Sequence, residues 1–457
     1  MTPDAVAQIY ASEVVSGFDL HKPEKMNVLF RRYGDQGLSY FQLVRSMGFE
    51  EEVSLDTYSH FEENRIHEIV HVDAIVAQPA VGADIVFVLD AVDLDANNNF
   101  YLRLYDVIMF QNEVTGSVID IDVTTPTAPS ITCRLQDNTD QFPALAAGDE
   151  LAIITNAFAE GTGQPDSAIS GTWEYTNDAQ IIKETIGVTG TEMVNQTWID
   201  VTSDGSKIPA YYYKGQIDID YRTSLRIDGA LLFGKRGVNT TLTDTTVGRQ
   251  IKSTEGLIPY TRRIGHEQTY TAGAFDVAEF DEMDRTLDRE NAGNYIMGLL
   301  GIELHQDIEN SLKTYFANTN IVFAKQTTNE VLFNSNESLG ASVNFSYLTK
   351  SERTFLFKRM GAFNNPKLYG ATGYEMPKMG IFMPINKRKD PVSGNMVDSI
   401  GTRYRGLGKY KRRMEVWNVG GAGEGLKVTD IDERNTYQRC HLGAHFRGGN
   451  QFVLMET

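Results

Sequence analysis

The chain has 457 residues, of which 41% are hydrophobic, 10% aromatic and 23% charged; this ordinary globular composition excludes disorder, collagen and coiled coil and supplies about three domains or one elaborated fold. Its 42 basic and 61 acidic residues leave a net charge of −19, which repels phosphate and anionic membranes at long range and disfavours a nucleic-acid reader. There is no run of eighteen apolar residues and no basic leader ahead of an apolar run, so neither a membrane span nor a secretory signal is expected.

Residues 1–57 mix glycine, charge and scattered aromatics (Phe18, Phe30, Tyr33, Tyr40, Phe41) without sustained periodicity, and read as an arm. From Ile66 to Ile154 the pattern turns to β. Alternation runs through 85–89, 101–110 and 118–123, separated by turn clusters at 95–99 and 124–130, which predicts a small β-rich module. It closes at Gly148-Asp149-Glu150, and the glycine-rich stretch 160–165 reads as a loop.

The module contains the one catalytic-looking string, His67-Glu68-Ile69-Val70-His71, which matches H-E-x-x-H. On a helix its two imidazoles would share a zinc ion, and Glu68 would take a proton from a metal-bound water. However, Ala74 and Ala77 stand where the metzincin extension needs glycine and a third histidine. The β-branched run Ile66, Ile69, Val70, Val72, Ile75, Val76 favours a strand, which would hold His67 and His71 about 13 Å apart. A structural histidine pair is the preferred reading and a zinc metallopeptidase the alternative. Asp93, Asp95 and Asn97 open like a calcium loop, but Asn98 and Leu104 occupy its glycine and glutamate positions, so a hairpin turn is expected.

Beyond Ala210, Tyr213, Ile217, Tyr221 and Leu225 recur every four positions, with Leu232 seven further on and Asp218 and Arg222 on another face. This predicts a long amphipathic helix built on that stripe. It ends where Gly234 and Gly237 permit a cap and Lys235 and Arg236 complement the dipole. The run Tyr211-Tyr212-Tyr213 reads as packing. Ile296, Leu300, Leu304, Ile308, Leu312 and Phe316 predict a second helical region, with a break near its start at Gly293, Gly298 and Gly301. From Phe345 onward short β-like runs and turns return. The segment 420–425 fits no phosphate-binding motif and reads as a loop, and Cys440 and His441 are only sequence neighbours. Cys133 and Cys440 have no second thiol nearby and are expected to be reduced and buried. The element order argues for an α+β fold. No convergent active site emerges, and no enzyme activity, metal or other cofactor is expected.

Charge is unevenly distributed. Residues 50–160 hold 21 acidic side chains against Arg65, Arg103 and Arg134, a net −18. Residues 350–413 hold 15 basic ones against Glu352, Glu375, Asp390 and Asp398, a net +11. Such surfaces can pair within one molecule, or head to tail between copies in the manner that builds rings and shells.

The stretch from Tyr175 to Glu192, with Asn177, Gln180-Ile181-Ile182 and Val188-Thr189-Gly190-Thr191, resembles the N-x-x-Q-I-[FI]…V-[ST]-G-T passage of tailed-phage major capsid proteins with the Hong Kong 97-like fold. As in that family, it is preceded by a G-D-E and N-A-F-x-E-G passage, here Gly148-Asp149-Glu150 and Asn156-Ala157-Phe158-Ala159-Glu160-Gly161. It is followed by a long helix ending in Asp228-Gly229-Ala230-Leu231-Leu232-Phe233-Gly234. The similarity is clearest over residues 148–237. Weaker likeness in 383–413 and 449–453 resembles crAss-like phage capsid proteins.

The resemblance implies an N-terminal arm (1–57), an extended E-loop with a β-rich insertion (58–205), and a peripheral domain (206–275) with a spine helix (211–236). An axial domain with connecting segments (276–440) and a C-terminal return (441–457) would follow. It further implies self-assembly through pentamers and hexamers into an icosahedral head enclosing double-stranded DNA. Portal and decoration proteins would be partners, DNA would be held weakly and without sequence specificity, no membrane would be involved, and assembly would occur in the host cytoplasm. The expected subunit-interface residues are Glu62, Glu63, Gln180, Ile181, Lys183, Glu184, Thr191, Glu192, Lys387, Arg388, Lys389, Lys411, Arg412 and Arg413. Neither a covalent Lys–Asn cross-link nor a scaffolding segment is recognisable. An encapsulin-like compartment is a further alternative on the same fold.

Overall fold

The computed structural model describes residues 40–63, 69–94, 98–165, 172–194, 201–203, 206–208, 210–316, 325–326, 345–350, 352–366, 370, 375–385, 387–389, 394–422 and 429–457. Helices and strands are mixed along the chain, as the order of sequence patterns predicts. Two compact units emerge, one formed by residues up to Ser59 and from Thr176 onward, the other by His60–Tyr175.

Six strands of the His60–Tyr175 unit pair antiparallel in the order Ile69–His71, Glu150–Asn156, Asp106–Met109, Thr115–Asp122, Ser130–Leu135, Ile85–Val88. The first and last are joined through a bridge between Val72 and Leu89. The Asp73 N–H donates to the Val88 carbonyl (2.9 Å) and the Asp90 N–H to the His71 carbonyl (3.0 Å), so the sheet closes as a small barrel. Alternation sends Val70, Val72, Ile85, Phe87, Val118 and Ile131 inward, and closure removes the edges that would template aggregation. Phe110 and Phe142 meet edge to face at 4.7 Å in this core. Gly116 makes room for them, since a Cβ there would run into the Phe142 ring at 2.8 Å.

The other unit is built on two sheets. In the first, Glu50–Val53 runs parallel to Ile400–Leu407, which is antiparallel to Glu433–Phe446. Gln180–Thr189 flanks Glu433–Phe446 on the other side over ten residue pairs, and Glu415–Gly420 pairs with its first half. The second sheet runs His266–Thr269, Val453–Glu456, Gly380–Pro384, Tyr295–Leu300, Arg353–Arg359, Phe345–Lys350. Helices Val277–Arg289 and Ile302–Phe316 contribute Phe280, Leu287, Leu304 and Ile308 to a core with its Ile296, Phe355 and Phe382 side chains. Met297, Leu299, Ile381 and Leu454 belong instead to the core shared with the long helix.

That helix is Ala210–Phe233, 24 residues long; of the predicted stripe Leu232 is buried, but Ile217 and Leu225 turn away from the core. Ile217 and Leu225 are each 42% exposed, whereas Ile219, Thr223, Ile227 and Leu231 are buried. The inward face is selected by fit to the sheet. A Cβ at Gly215 would collide with Ile186, and the Thr223 hydroxyl donates to the Gln438 amide oxygen at 2.6 Å. The second helical region also needs correction, because residues 295–300 are a strand and the helix begins at Ile302. The strand is buried on both faces, so its apolar run satisfies helical spacing by accident. Gly301 marks the change, its missing side chain leaving space for the Met376 and Pro377 carbonyls. Tyr40–Ser46, read as part of an irregular arm, is a short helix with Tyr40, Phe41, Leu43 and Val44 buried; the Asp228 carboxylate accepts the Phe41 N–H at 2.9 Å.

Candidate assembly interface

The stretch 177–180 forms a polar node. The Asn177 amide donates to the carbonyls of Glu255 (3.1 Å) and Ala444 (2.9 Å), and its oxygen accepts the N–H groups of Asp178 and Glu255, both at 2.8 Å. Asp178, 5% exposed, receives the Arg236 guanidinium at 2.8 Å and the Thr57 hydroxyl at 2.5 Å, with Lys252 at 3.8 Å. A buried carboxylate is retained because cations and donors surround it. The Gln180 side-chain oxygen accepts the Thr254 N–H at 3.4 Å. Gly443 lies against this node, and a Cβ there would meet the Tyr58 hydroxyl and the Asp178 carbonyl.

Beside it runs a belt of ion pairs. Glu50 pairs with Arg413, Glu51 with Arg403 (2.9 Å) and Arg447 (3.5 Å), Glu52 with Lys411 (3.3 Å) and Asp56 with Arg405. Partly exposed pairs contribute little each, but together they select an acidic strand to lie parallel to Ile400–Leu407. Part of the complementarity expected between copies is therefore satisfied within one chain. The His60–Tyr175 unit keeps 19 acidic residues against three basic ones, a net −16.

His441 lies 3.4 Å from Asp56 and is 2% exposed. Burial lowers its pKa to about 4, opposed by Asp56 and assisted by Arg412 and Arg405. The folded value lies below the ordinary 6.5, so the unfolded chain binds more protons between pH 6.5 and 4. Stability present above pH 6.5 is consequently lost as pH falls through that window. His441→Gln is expected to remove a decline on the order of 2 kcal/mol between pH 7 and pH 4.5. Urea unfolding at both pH values checks this, and an unchanged pH slope in the variant would refute it.

Gln180–Thr189 alternates sharply. Ile182 and Val188 are buried, while Ile181, Lys183 and Thr185 are exposed. Glu184 pairs with Arg226 of the long helix at 2.6 Å. On the exposed face the cross-strand pair Trp417 and Tyr437 stacks at 5.5 Å and 22°. The Arg439 guanidinium lies 5.2 Å over Trp417, held by Glu415 (2.6 Å) and the Tyr410 hydroxyl (3.2 Å). Lys183, Glu184, Thr185, Trp417, Tyr437, Gln438 and Arg439 line a cleft of about 450 Å³. The aromatic pair carries no motif. Only strand register joins position 417 to 437, so the sequence offered no signal for it.

The other expected interface residues are dispersed. Thr191 and Glu192 lie on a short helix, Gly190–Val194, and are exposed. Glu62 and Glu63 lie on Thr57–Glu63, which pairs with Thr172–Asp178 in a two-stranded ribbon; Glu62 is 3.0 Å from His60. Lys387 approaches Asp398 at 3.7 Å, Arg388 donates to the Asn291 carbonyl at 2.5 Å, and Lys389 is exposed. Arg412 reaches Glu415 at 4.0 Å.

The H-E-x-x-H string divides. His67 and Glu68 lie outside the described residues, and Ile69–His71 is a strand. The Asp93 carboxylate accepts the His71 N–H at 2.5 Å and lies 2.8 Å from its Nδ1, latching a turn to the barrel seam. Asp93 is thus already engaged, while Asp95 and Asn97 of the calcium-like loop, and 423–425 of the glycine-rich loop, lie outside the described residues. No group of three or more His, Cys, Asp or Glu side chains able to hold a metal ion occurs among the described residues. Both cysteines are free and buried, which pushes their thiols up to about 12. No described helix is long and apolar enough to cross a membrane.

No family model and no curated protein matches the chain. Among solved structures, one from Gordonia phage Cozz is 9% identical with a TM-score of 0.43, covering 100% of this chain and 97% of that one. The capsid of a native GTA particle is 8% identical with a TM-score of 0.38, covering 98% and 99%. The holo-SrpI encapsulin complex from Synechococcus elongatus PCC 7942 is 7% identical with a TM-score of 0.39, covering 97% and 94%. The overlaps are long and the superpositions loose.

Proposed function

We propose that this chain is a structural protein, the major capsid protein of a tailed double-stranded DNA phage with the Hong Kong 97-like fold. Its copies assemble through pentamers and hexamers into an icosahedral head, with 58–205 acting as the E-loop and the helix Ala210–Phe233 as the spine. Portal and decoration proteins complete the particle in the host cytoplasm. The observation that carries this reading is the polar node. Asp178, from the stretch that resembles capsid proteins, accepts the guanidinium of Arg236, just beyond the following helix and 58 positions away, while Asn177 and Gln180 beside it bond Glu255, Ala444 and Thr254. Passages related by their order in the sequence are thus joined by hydrogen bonds. The net charge of −19 suits a container, since a lining that gripped DNA would oppose its packing and release.

Electron microscopy of the purified full-length chain tests the proposal. Closed shells or capsomers are expected, and dispersed monomers at high concentration would count decisively against it. Particles filled with protein rather than nucleic acid after expression in the host would favour an encapsulin-like compartment.

A further inference from the structure

We infer that the finger formed by residues 238–251 meets the same finger of a second copy in a self-complementary contact. The inference rests on the shell reading and adds to it a segment that contributes none of the interface residues expected from the sequence. The finger follows the long helix and closes at its base, where the Gly237 N–H donates to the Ser253 carbonyl at 3.1 Å. Every residue in it except Asp244 is exposed. Val238 is 72%, Leu242 49%, Val247 68% and Ile251 46% exposed. Exposed aliphatics scattered singly are ordinary, whereas four on one short protrusion mark an interaction site. The finger is also held in shape before a partner arrives. The Ile251 N–H donates to the Leu242 carbonyl at 2.9 Å and the Asp244 N–H to the Arg249 carbonyl at 2.8 Å. At the tip the Asp244 carboxylate accepts the N–H groups of Thr246 (2.8 Å) and Val247 (2.9 Å). Docking therefore has little backbone left to order.

Charge selects the occupant. Copies of a chain with net charge −19 repel, but at physiological salt that repulsion reaches only about 8 Å, so the patch in contact decides. Asp244 and Arg249 are the only charged residues of the finger and cancel, 1 − 1 = 0. Two fingers can thus bury their aliphatic side chains against each other without opposing like charges. A different protein drawn to this chain by charge would be steered to its acidic surfaces instead. A self-contact uses one patch on both copies, as two-fold contacts do. The patch is small, so it holds where other contacts keep the copies together.

Cysteine trapping tests this, because Cys133 and Cys440 are fully buried and leave a quiet background. Full-length Val238→Cys, Leu242→Cys and Val247→Cys chains, each alone, are treated with a short bis-maleimide before and after assembly. Val81→Cys, at a position 62% exposed in the His60–Tyr175 unit, is the control. Within shells the finger variants are expected to form covalent dimers at least about tenfold faster than the control, because the contact raises the local thiol concentration toward the millimolar range. Adding Val247→Lys to Val238→Cys is expected to abolish that excess by setting like charges face to face. Shells whose finger cysteines link no faster than the control would overturn the inference and leave the shell reading standing. An excess that survives Val247→Lys would overturn it too, as a sign that the fingers do not meet at their tips. Fast linking in a chain that forms no shells would uphold the contact and remove the shell reading, and a chain that neither assembles nor links would remove both.

Discussion

Replacing Asn177 with alanine is expected to lower the unfolding free energy by about 3 kcal/mol, among the largest effects of any polar substitution here. The side chain makes four hydrogen bonds to backbone groups, at Asp178, at Ala444 and twice at Glu255. An alanine would leave these donors and acceptors short of partners beside a buried carboxylate. Each unsatisfied buried group costs about 1–3 kcal/mol, partly relieved if water enters. Urea denaturation monitored by tryptophan fluorescence measures the change. Thr185→Ala, on the exposed side of the neighbouring strand, serves as a control and should stay within about 0.5 kcal/mol of the parent. Should Asn177→Ala also fall in that range, the node would be decorative and the observation that carries the capsid reading would be lost.

The parts of the fold legible in the sequence were those whose signal is local. Alternation along 118–123 and 85–89 marked barrel strands, and Gly234 with Lys235 and Arg236 marked a helix end within a residue of Phe233. What misled was periodicity without knowledge of the partner surface. Ile217 and Leu225 have helical spacing, but the helix must offer its smaller face, with Gly215 and Thr223, to come close to the sheet. Ile296 and Leu300 are four apart and buried, yet they belong to a strand with neighbours on both sides. Of the expected interface residues, Ile181 and Lys183 were named from the resemblance, and the structure leaves both exposed on one side of their strand. Trp417, Tyr437 and Arg439 become a surface only through register, which couples positions with no sequence relation. The ion-pair belt shows the same limit: net charge revealed that 50–160 and 350–413 are complementary, but not that Glu50, Glu51 and Glu52 would meet Arg413, Arg403 and Lys411 within one chain.

Phe142→Ala is expected to unfold the His60–Tyr175 unit selectively, at a cost of about 3–5 kcal/mol. Phe142 is fully buried and contacts Phe110 edge to face at 4.7 Å. Its ring fills the space left by Gly116, so the barrel has no nearby side chain to close the cavity. Because this unit has its own closed sheet and its own core, calorimetry should resolve two transitions in the parent chain. For a unit of about this size, each kcal/mol moves the midpoint by roughly 4 °C or more, so one transition should drop by more than about 10 °C while the other holds. The variant should then lose the barrel's protection from protease between residues 69 and 156 and keep that of the other unit. A single transition that shifts as a whole would instead mean that the two units fold as one, and the β-rich insertion could no longer be regarded as a separable limb of a shell protein.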